Sequence, residues 1–113
     1  MIIEDDPAIL DSVSLLLELE GYQVSTVSDP SGLFTMEEGF PDLFLLDIWM
    51  SGTDGRDVCK FLKQKTSTNK IPVVLISASR EIEKSAKEAG ADDFISKPFE
   101  TSELLEKVRQ HIN

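Results

Sequence analysis

The sequence has 113 residues, of which 41% are hydrophobic and 28% are charged, and its formal net charge is −10. This length is enough for one domain with its own core, and the single cysteine, Cys59, excludes an internal disulfide. A surface this acidic repels nucleic-acid phosphates and anionic lipids, and every apolar run is too short to cross a bilayer.

We therefore expect no direct binding to nucleic acid and no membrane insertion. A cytoplasmic location is expected, because the N-terminus lacks the basic start and long apolar run of a signal peptide. Cys59 is interpreted as a buried structural thiol, because a catalytic thiol needs a basic partner. The only histidine, His111, falls near the end of the chain, where a helix is expected to fray.

The first elements in chain order are a strand and a helix. Residues 1–3 are apolar and β-prone, and we expect them to be the end of a clipped first strand. Asp6 and Pro7 predict a helix start, with Asp6 as the N-cap, and Gly21 predicts the helix end. One face of this helix carries Ile9, Leu10, Val13, Leu16 and Leu17.

A second strand and a short second helix follow. Residues 23–27 read as the strand, and Asp29-Pro30 repeats the helix-start signal. We expect this helix to turn Leu33 and Phe34 inward.

The third strand is predicted to be the most buried. Residues 43–46 are apolar without alternation, which is typical of a central strand in a parallel sheet, and Asp47 ends the run. A turn cluster at 51–55 then leads into a helix. The inner face of that helix carries Val58, Phe61 and Leu62.

Two further units complete the chain. Residues 71–76 predict the fourth strand, residues 81–89 a helix and residues 94–95 the fifth strand. The last helix is expected to bury Leu104, Leu105, Val108 and Ile112.

Strand and helix thus alternate five times, which predicts an α/β fold with a parallel sheet and helices on both faces. We see no internal linker, so residues 1–113 are expected to form one domain.

Polar side chains follow four of the five predicted strands. Glu4 and Asp5 follow the first strand, Asp47 the third, Ser77 the fourth and Lys97 the fifth. Because the carboxyl ends of parallel strands share one edge, where ligands bind in open α/β sheets, these side chains should gather there.

Three clustered carboxylates repel each other and need a counter-charge. Mg²⁺ suits such a site, because it takes one or two carboxylates together with waters and phosphate oxygens. Lys97 supplies a second positive charge. A carboxylate can itself be the nucleophile in phosphoryl transfer, and Asp47, at the end of the most buried strand, is the candidate.

Each residue also has an ordinary structural interpretation when taken alone. The acidic residues after the first strand suit helix capping, Asp47 suits a turn, Ser77 suits the cap of the next helix, and Lys97 suits a solvated surface. Their joint occurrence on four strand ends favours the functional interpretation.

The sequence resembles the receiver domain of bacterial response regulators over nearly its whole length. The motifs that carry the resemblance are Glu4-Asp5-Asp6-Pro7, FLLDI at 44–48, GTDG at 52–55, Ser77-Ala78 and GADDFISKPF at 90–99. The resemblance implies a flavodoxin-like (βα)5 fold with sheet order 2-1-3-4-5.

The resemblance also implies a phosphorylation site. Asp47 would be the phosphoacceptor, Asp5 a direct Mg²⁺ ligand and Glu4 a ligand acting mostly through water. The backbone carbonyl of Trp49 would be a further ligand. The indole of Trp49 suits either a lid that slows water attack or an ordinary exposed aromatic.

Three more residues have implied roles. Lys97 would contact the phosphoryl group, and its bond to Pro98 is expected to be cis. Ser77 would hydrogen-bond a phosphoryl oxygen and move toward it. Phe94 would be the switch aromatic that turns inward when the hydroxyl moves, although a phenylalanine in a strand is more often simply part of the core.

The implied function is a signalling switch and not an enzyme acting on a separate substrate. The donor would be a phosphohistidine on a sensor histidine kinase or a histidine phosphotransfer protein. The face built from the fourth helix, the fifth strand and the fifth helix would carry the signal, to an output domain or through a receiver homodimer.

The sequence departs from the family pattern in several places. Ser51 stands where the family usually has proline, and Phe94 lacks the hydroxyl that many relatives carry. The segment from Ser77 to Lys97 is slightly shorter than the family pattern, which places the output surface in question more than the chemistry.

Other functions fit less well. A binding module that acts without phosphorylation would be expected to lack some of the site residues. A flavin carrier needs a hydroxyl- or glycine-rich phosphate loop after the first strand, where this chain is acidic. An aspartyl phosphatase usually has a second aspartate two residues after the nucleophile, where this chain has Trp49.

Overall fold

The computed structural model describes residues 1–50 and 52–112. Ser51 and Asn113 lie outside the described residues. The departure from the family pattern at Ser51 therefore has no structural description here.

A five-stranded parallel sheet forms the centre of the molecule. Its order is β2-β1-β3-β4-β5, which confirms the predicted topology. The strands are β1 (Ile2–Ile3), β2 (Thr26–Val27), β3 (Phe44–Asp47), β4 (Val73–Ser77) and β5 (Asp93–Ser96).

In the described part of the chain, three α-helices and one 3₁₀ helix connect the strands of the sheet, and a fourth α-helix follows the last strand. The α-helices are α1 (Pro7–Leu19), α2 (Gly55–Gln64), α3 (Ile82–Ala89) and α4 (Thr101–His111). Asp6 caps α1 by accepting from the Ala8 N–H at 3.0 Å, and Pro7 is the first helical residue, as predicted. The fourth and fifth predicted helices correspond to α3 and α4.

The helices cover both faces of the sheet. Successive residues of β3 point to opposite sides, so Leu46 joins a core with α2 and α3 while Leu45 joins a core with α1 and α4. Every residue of β3 and β4 is buried, which fits their position at the centre of the sheet. The fold is therefore doubly wound and flavodoxin-like.

The second predicted helix is a five-residue 3₁₀ helix (Pro30–Phe34), and the inward orientation predicted for Phe34 is wrong. Residues three apart share a face in a 3₁₀ helix, so Leu33 lies beneath the protein surface with Pro30. Phe34 faces outward, is 42% exposed and packs edge-on against Phe61, with the ring centroids 4.8 Å apart.

The observed bounds of β2 and β4 differ most from the predicted ones. β2 is limited to Thr26–Val27, because these two residues are the ones that pair with Ile2–Ile3. β4 begins at Val73 and not at Ile71, whose N–H bonds to the Thr68 carbonyl in a preceding turn. An antiparallel pair of two-residue strands, Trp49–Met50 and Thr53–Asp54, was not predicted.

Among residues 1–50 and 52–112, no helix combines the length and the hydrophobicity that a bilayer-spanning segment needs.

Cys59 lies on the inner face of α2 with no exposed surface, and its Sγ is 3.5 Å from the Ala89 carbonyl oxygen. Burial raises the pKa of this thiol from 9.0 to about 11. A thiolate is therefore scarce at neutral pH, which fits the predicted structural role.

We expect Cys59 to resist alkylation by iodoacetamide at about pH 8 in the folded protein, because the thiol is neutral and inaccessible. The measurement is the mass of the protein after a fixed exposure, with a urea-unfolded sample as the reactive control. Rapid modification of the folded protein would contradict this structural assignment.

Candidate functional site: a carboxylate cluster at the carboxyl edge of the sheet

The strand ends bring the predicted site residues to one edge of the sheet. Glu4 directly follows β1, Asp47 is the last residue of β3, and Ser77 is the last residue of β4. Lys97 directly follows β5, and its N–H donates to the Ser77 carbonyl at 2.9 Å. The edge predicted from strand endings is therefore the edge on which these residues lie.

Three carboxylates gather at this edge. Oxygen atoms of Glu4, Asp5 and Asp47 all lie within 4.8 Å of one another. Glu4 is 3% exposed and Asp47 is 7% exposed, so water screens their repulsion poorly. Such a cluster requires positive charge close by.

Lys97 provides positive charge within the chain. Its Nζ lies 3.2 Å from Oε1 of Glu4 and 3.5 Å from Oδ1 of Asp47. The peptide bond between Lys97 and Pro98 is cis, as expected. One ammonium group thus bridges two carboxylates that belong to different strand ends.

The arrangement raises the pKa of the Glu4 carboxyl group. Burial, followed by the hydrogen bond and the charge of Asp47, raises the pKa of Glu4 from 4.5 to about 7, although Lys97 acts in the opposite direction. Oε2 of Glu4 also accepts the Asp5 N–H at 3.1 Å. Burial and the neighbouring Asp47 thus outweigh the effect of the Lys97 ammonium on the pKa of this carboxyl group.

The donor set fits a hard divalent cation. Carboxylate oxygens are the ligands that Mg²⁺ prefers, and Mg²⁺ commonly uses only one or two of them from the protein. The cluster of Glu4, Asp5 and Asp47 supplies such oxygens within reach of one another.

Gly55 packs against the backbone of Asp47, a role that the sequence reasoning missed. A Cβ atom at this position would lie 2.0 Å from the Asp47 carbonyl oxygen and 2.8 Å from the Ile48 Cα. The Gly55 N–H also donates to the Ile48 carbonyl at 2.7 Å. The glycine that closes the GTDG motif was a visible signal, but a turn cluster alone does not reveal a backbone contact this close.

Ser77 is fully buried, and its hydroxyl faces its own loop. Its Oγ accepts the Ser79 N–H at 3.1 Å. Ser77 therefore lies at the predicted strand end, and its side-chain oxygen accepts a hydrogen bond from the loop that follows β4.

Trp49 is 59% exposed and lies in the short antiparallel pair beyond Asp47. The guanidinium carbon of Arg56 is 4.9 Å from the ring centroid, which is cation–π range. Asp54 in turn binds Arg56, with a shortest contact of 2.6 Å. The sequence reasoning did not anticipate this stack; a lid function for the indole stays a prediction.

Phe94 is half-buried on β5 and packs against the core formed with α2 and α3.

The expected fraying at His111 is wrong, because α4 extends through His111 and the Nε2 atom of this residue lies 3.0 Å from Oδ2 of Asp93. This contact ties the end of the last helix to the start of β5.

Comparison with known proteins agrees with this fold. The sequence matches the family described as "Response regulator receiver domain" over residues 1–109. The chain belongs to the response regulator receiver domain family.

The relatives include full-length regulators and a separately solved receiver. Over 112 residues, the chain is 38% identical to the sensory transduction protein RegX3 of Mycolicibacterium smegmatis, covering 96% of this chain and 48% of that protein. It is 39% identical to the DNA-binding dual master transcriptional regulator RpaA of Synechocystis, covering 96% of this chain and 46% of that protein.

The crystal structure of the receiver domain of NtrX from Brucella abortus superposes with a TM-score of 0.86 at 34% identity, covering 98% of this chain and 95% of that one. The chain spans about half the length of the curated relatives named here.

The raised pKa of Glu4 predicts how stability depends on pH without divalent cations. Between 4.5 and about 7 the folded state binds more protons at Glu4 than the unfolded state, so the free energy of unfolding should fall as pH rises through this window. Glu4→Gln removes this dependence and should stabilise the protein by about 1–3 kcal/mol at about pH 8.

Urea unfolding in EDTA at several pH values measures this effect, and exposed Glu38→Gln serves as the control. A Glu4→Gln variant with the same pH dependence as the wild type would contradict the assignment.

Proposed function

We propose that this chain is a phosphorylation-dependent signalling switch in which Asp47 is the phosphoacceptor. The observation that carries the proposal is the clustering of Glu4, Asp5 and Asp47 within 4.8 Å, with the Lys97 ammonium 3.5 Å from Asp47. The donor is a phosphohistidine on a sensor histidine kinase or a histidine phosphotransfer protein. All 113 residues then serve as one receiver domain.

In the proposed reaction, an Asp47 carboxylate oxygen attacks the phosphorus of the phosphohistidine. A P–O bond forms while the P–N bond breaks, and the imidazole leaves with the bonding electron pair. The carboxylate is fixed for this attack at the end of a fully buried strand, and Gly55 packs against its backbone. Fixed orientation of the nucleophile lowers the entropic barrier to transfer.

Charge neutralisation is the second requirement. Asp5, Asp47, the Trp49 carbonyl and, mostly through water, Glu4 would hold Mg²⁺, which would supply positive charge for the phosphoryl oxygens. Lys97 supplies a second positive charge from the other side and is already held by the carboxylates at 3.2 and 3.5 Å. The transferred group thus lies between two cationic groups.

Ser77 and Phe94 carry the response. The Ser77 Oγ, which accepts the Ser79 N–H at 3.1 Å, moves toward the phosphoryl group and donates its hydroxyl proton to a phosphoryl oxygen. The Phe94 ring turns inward when this hydroxyl moves. The face composed of α3, β5 and α4, which we call the output face, changes as a result. The chain assists its own phosphorylation and dephosphorylation but acts on no separate substrate.

The partners beyond the donor are an output domain or a second receiver. RpaA is named as DNA-binding, and the present chain aligns with 46% of its length. We place any DNA contact outside this chain, because its net charge of −10 opposes binding to a polyanion. The proposed location is the cytoplasm.

Incubation with Mg²⁺ and a small acyl phosphate, followed by intact-mass measurement, tests the proposal. We expect the wild type to gain the mass of one phosphoryl group and Asp47→Asn to gain none, because the amide is not a nucleophile of comparable strength. Asp11→Asn, an exposed helix position, is the matched control and should react like the wild type. No added mass on the wild type, or equal addition to Asp47→Asn, would overturn the proposal.

A further inference from the structure

Asp93, the first residue of β5, joins this strand to α4 through both oxygens of its carboxylate. Oδ1 accepts the Phe94 N–H at 2.8 Å and the Lys107 ammonium at 2.8 Å. Oδ2 lies 3.0 Å from Nε2 of His111. The side chains are 17% exposed for Asp93, 30% for Lys107 and 21% for His111, so these contacts are partly shielded from water.

Lys107 has a second contact within the same group. Its Nζ lies 5.8 Å from the centroid of the Phe94 ring, within the range of a cation–π interaction. Asp93 therefore fixes both the backbone of Phe94 and the cation that lies beside its ring. The ring itself is half-buried and contacts the core between the sheet, α2 and α3.

We propose that Asp93 and Lys107 form a clamp that holds the Phe94 ring in its half-buried position and sets how often the ring turns inward before phosphorylation. This inference rests on the proposed function, in which Phe94 is the switch aromatic. Asp93 and Lys107 are positioning residues, since they act through Phe94 and lie outside the carboxylate cluster.

The contacts oppose the inward turn in one specific way. Turning the ring inward removes it from the Lys107 ammonium, while the bond from the Phe94 N–H to Asp93 can persist, because it involves only the backbone. The side chain can thus change rotamer without β5 changing register. The inward rotation of the Phe94 ring breaks its contact with the Lys107 ammonium.

The electrostatics keep the clamp closed. Burial alone would raise the pKa of Asp93, but hydrogen bonds from Lys107 and His111 outweigh it and hold that pKa below its usual value. Asp93 is therefore ionised at neutral pH and retains Lys107 beside the ring. A cation–π contact of this kind corresponds to about a two- to fivefold change in the population of the inward ring.

Lys107→Met tests the clamp, because methionine keeps much of the length of the side chain but removes the charge. The ring resonances of Phe94, assigned by comparison with Phe94→Leu, report the ring position by NMR in unphosphorylated protein. We expect Lys107→Met to raise the inward population about two- to fivefold.

Two further variants separate the clamp from general effects of charge or stability. Lys107→Arg keeps a cation beside the ring and should behave like the wild type. Lys87→Met removes a charge from the same output face, where Lys87 pairs only weakly with Glu83 at 3.6 Å, and should leave the ring unchanged. Asp93→Asn, which releases Lys107, should shift the ring in the same direction as Lys107→Met, and thermal unfolding checks that each variant is folded.

The outcomes distinguish this inference from the proposed function. Unchanged Phe94 resonances in folded Lys107→Met and Asp93→Asn would overturn the clamp even if Asp47 is phosphorylated normally. An equal shift in Lys87→Met would also overturn it. Absence of phosphorylation in every variant would instead count against the proposed function, because the NMR comparison of the ring needs no phosphoryl group.

Discussion

The repulsion between carboxylates at one edge of the sheet is the constraint on which the site depends. β1 and β3 are neighbours, so the acidic residues that follow or end them are forced together by the backbone pairing of the sheet. The only compensating charge from the described chain that is in contact with Glu4 and Asp47 is Lys97, which comes from the far edge strand. Burial and the neighbouring Asp47 together raise the pKa of Glu4 despite this ammonium group. A cation that binds to this cluster is therefore expected to raise the stability of the folded state.

The same arrangement links the chemistry to the surface. β5 contributes both the ammonium at its carboxyl end and Phe94 within the strand, and it pairs with β4, which ends at Ser77. In the proposed switch, a change at the carboxylate cluster reaches the output face through two adjacent strands. The proposed clamp of Asp93 and Lys107 then sets how readily the Phe94 ring responds.

The sequence patterns were sufficient for the parallel α/β architecture and for the edge where the site lies, because both follow from strong signals. The order of the strands was implied by the resemblance to the receiver family. Unbroken apolar runs mark the central strands, and acidic, hydroxyl and amine residues stand directly at their ends. In parallel sheets those ends lie on one side, so the gathering of Glu4, Asp47 and Lys97 could be inferred without coordinates.

The features that sequence reasoning missed depend on contacts between distant or closely packed groups. Phe34 is apolar, yet the 3₁₀ geometry of its short helix turns it outward onto Phe61. His111 is far from Asp93 in sequence, and only the packing of α4 on β5 shows that they meet. The Gly55 contact and the Arg56 stack on Trp49 belong to a compact turn whose backbone path no periodicity predicts.

Thermal unfolding at increasing Mg²⁺ concentration tests most directly whether the carboxylate cluster is a cation site. A cation that binds only the folded state must raise the melting temperature, by about 10 °C once the concentration exceeds the dissociation constant about a hundredfold. We expect this rise for the wild type and a much smaller one for Asp5→Asn, with KCl of equal ionic strength as the reference. A melting temperature that Mg²⁺ raises no more than KCl does, or an equal rise in Asp5→Asn, would contradict it.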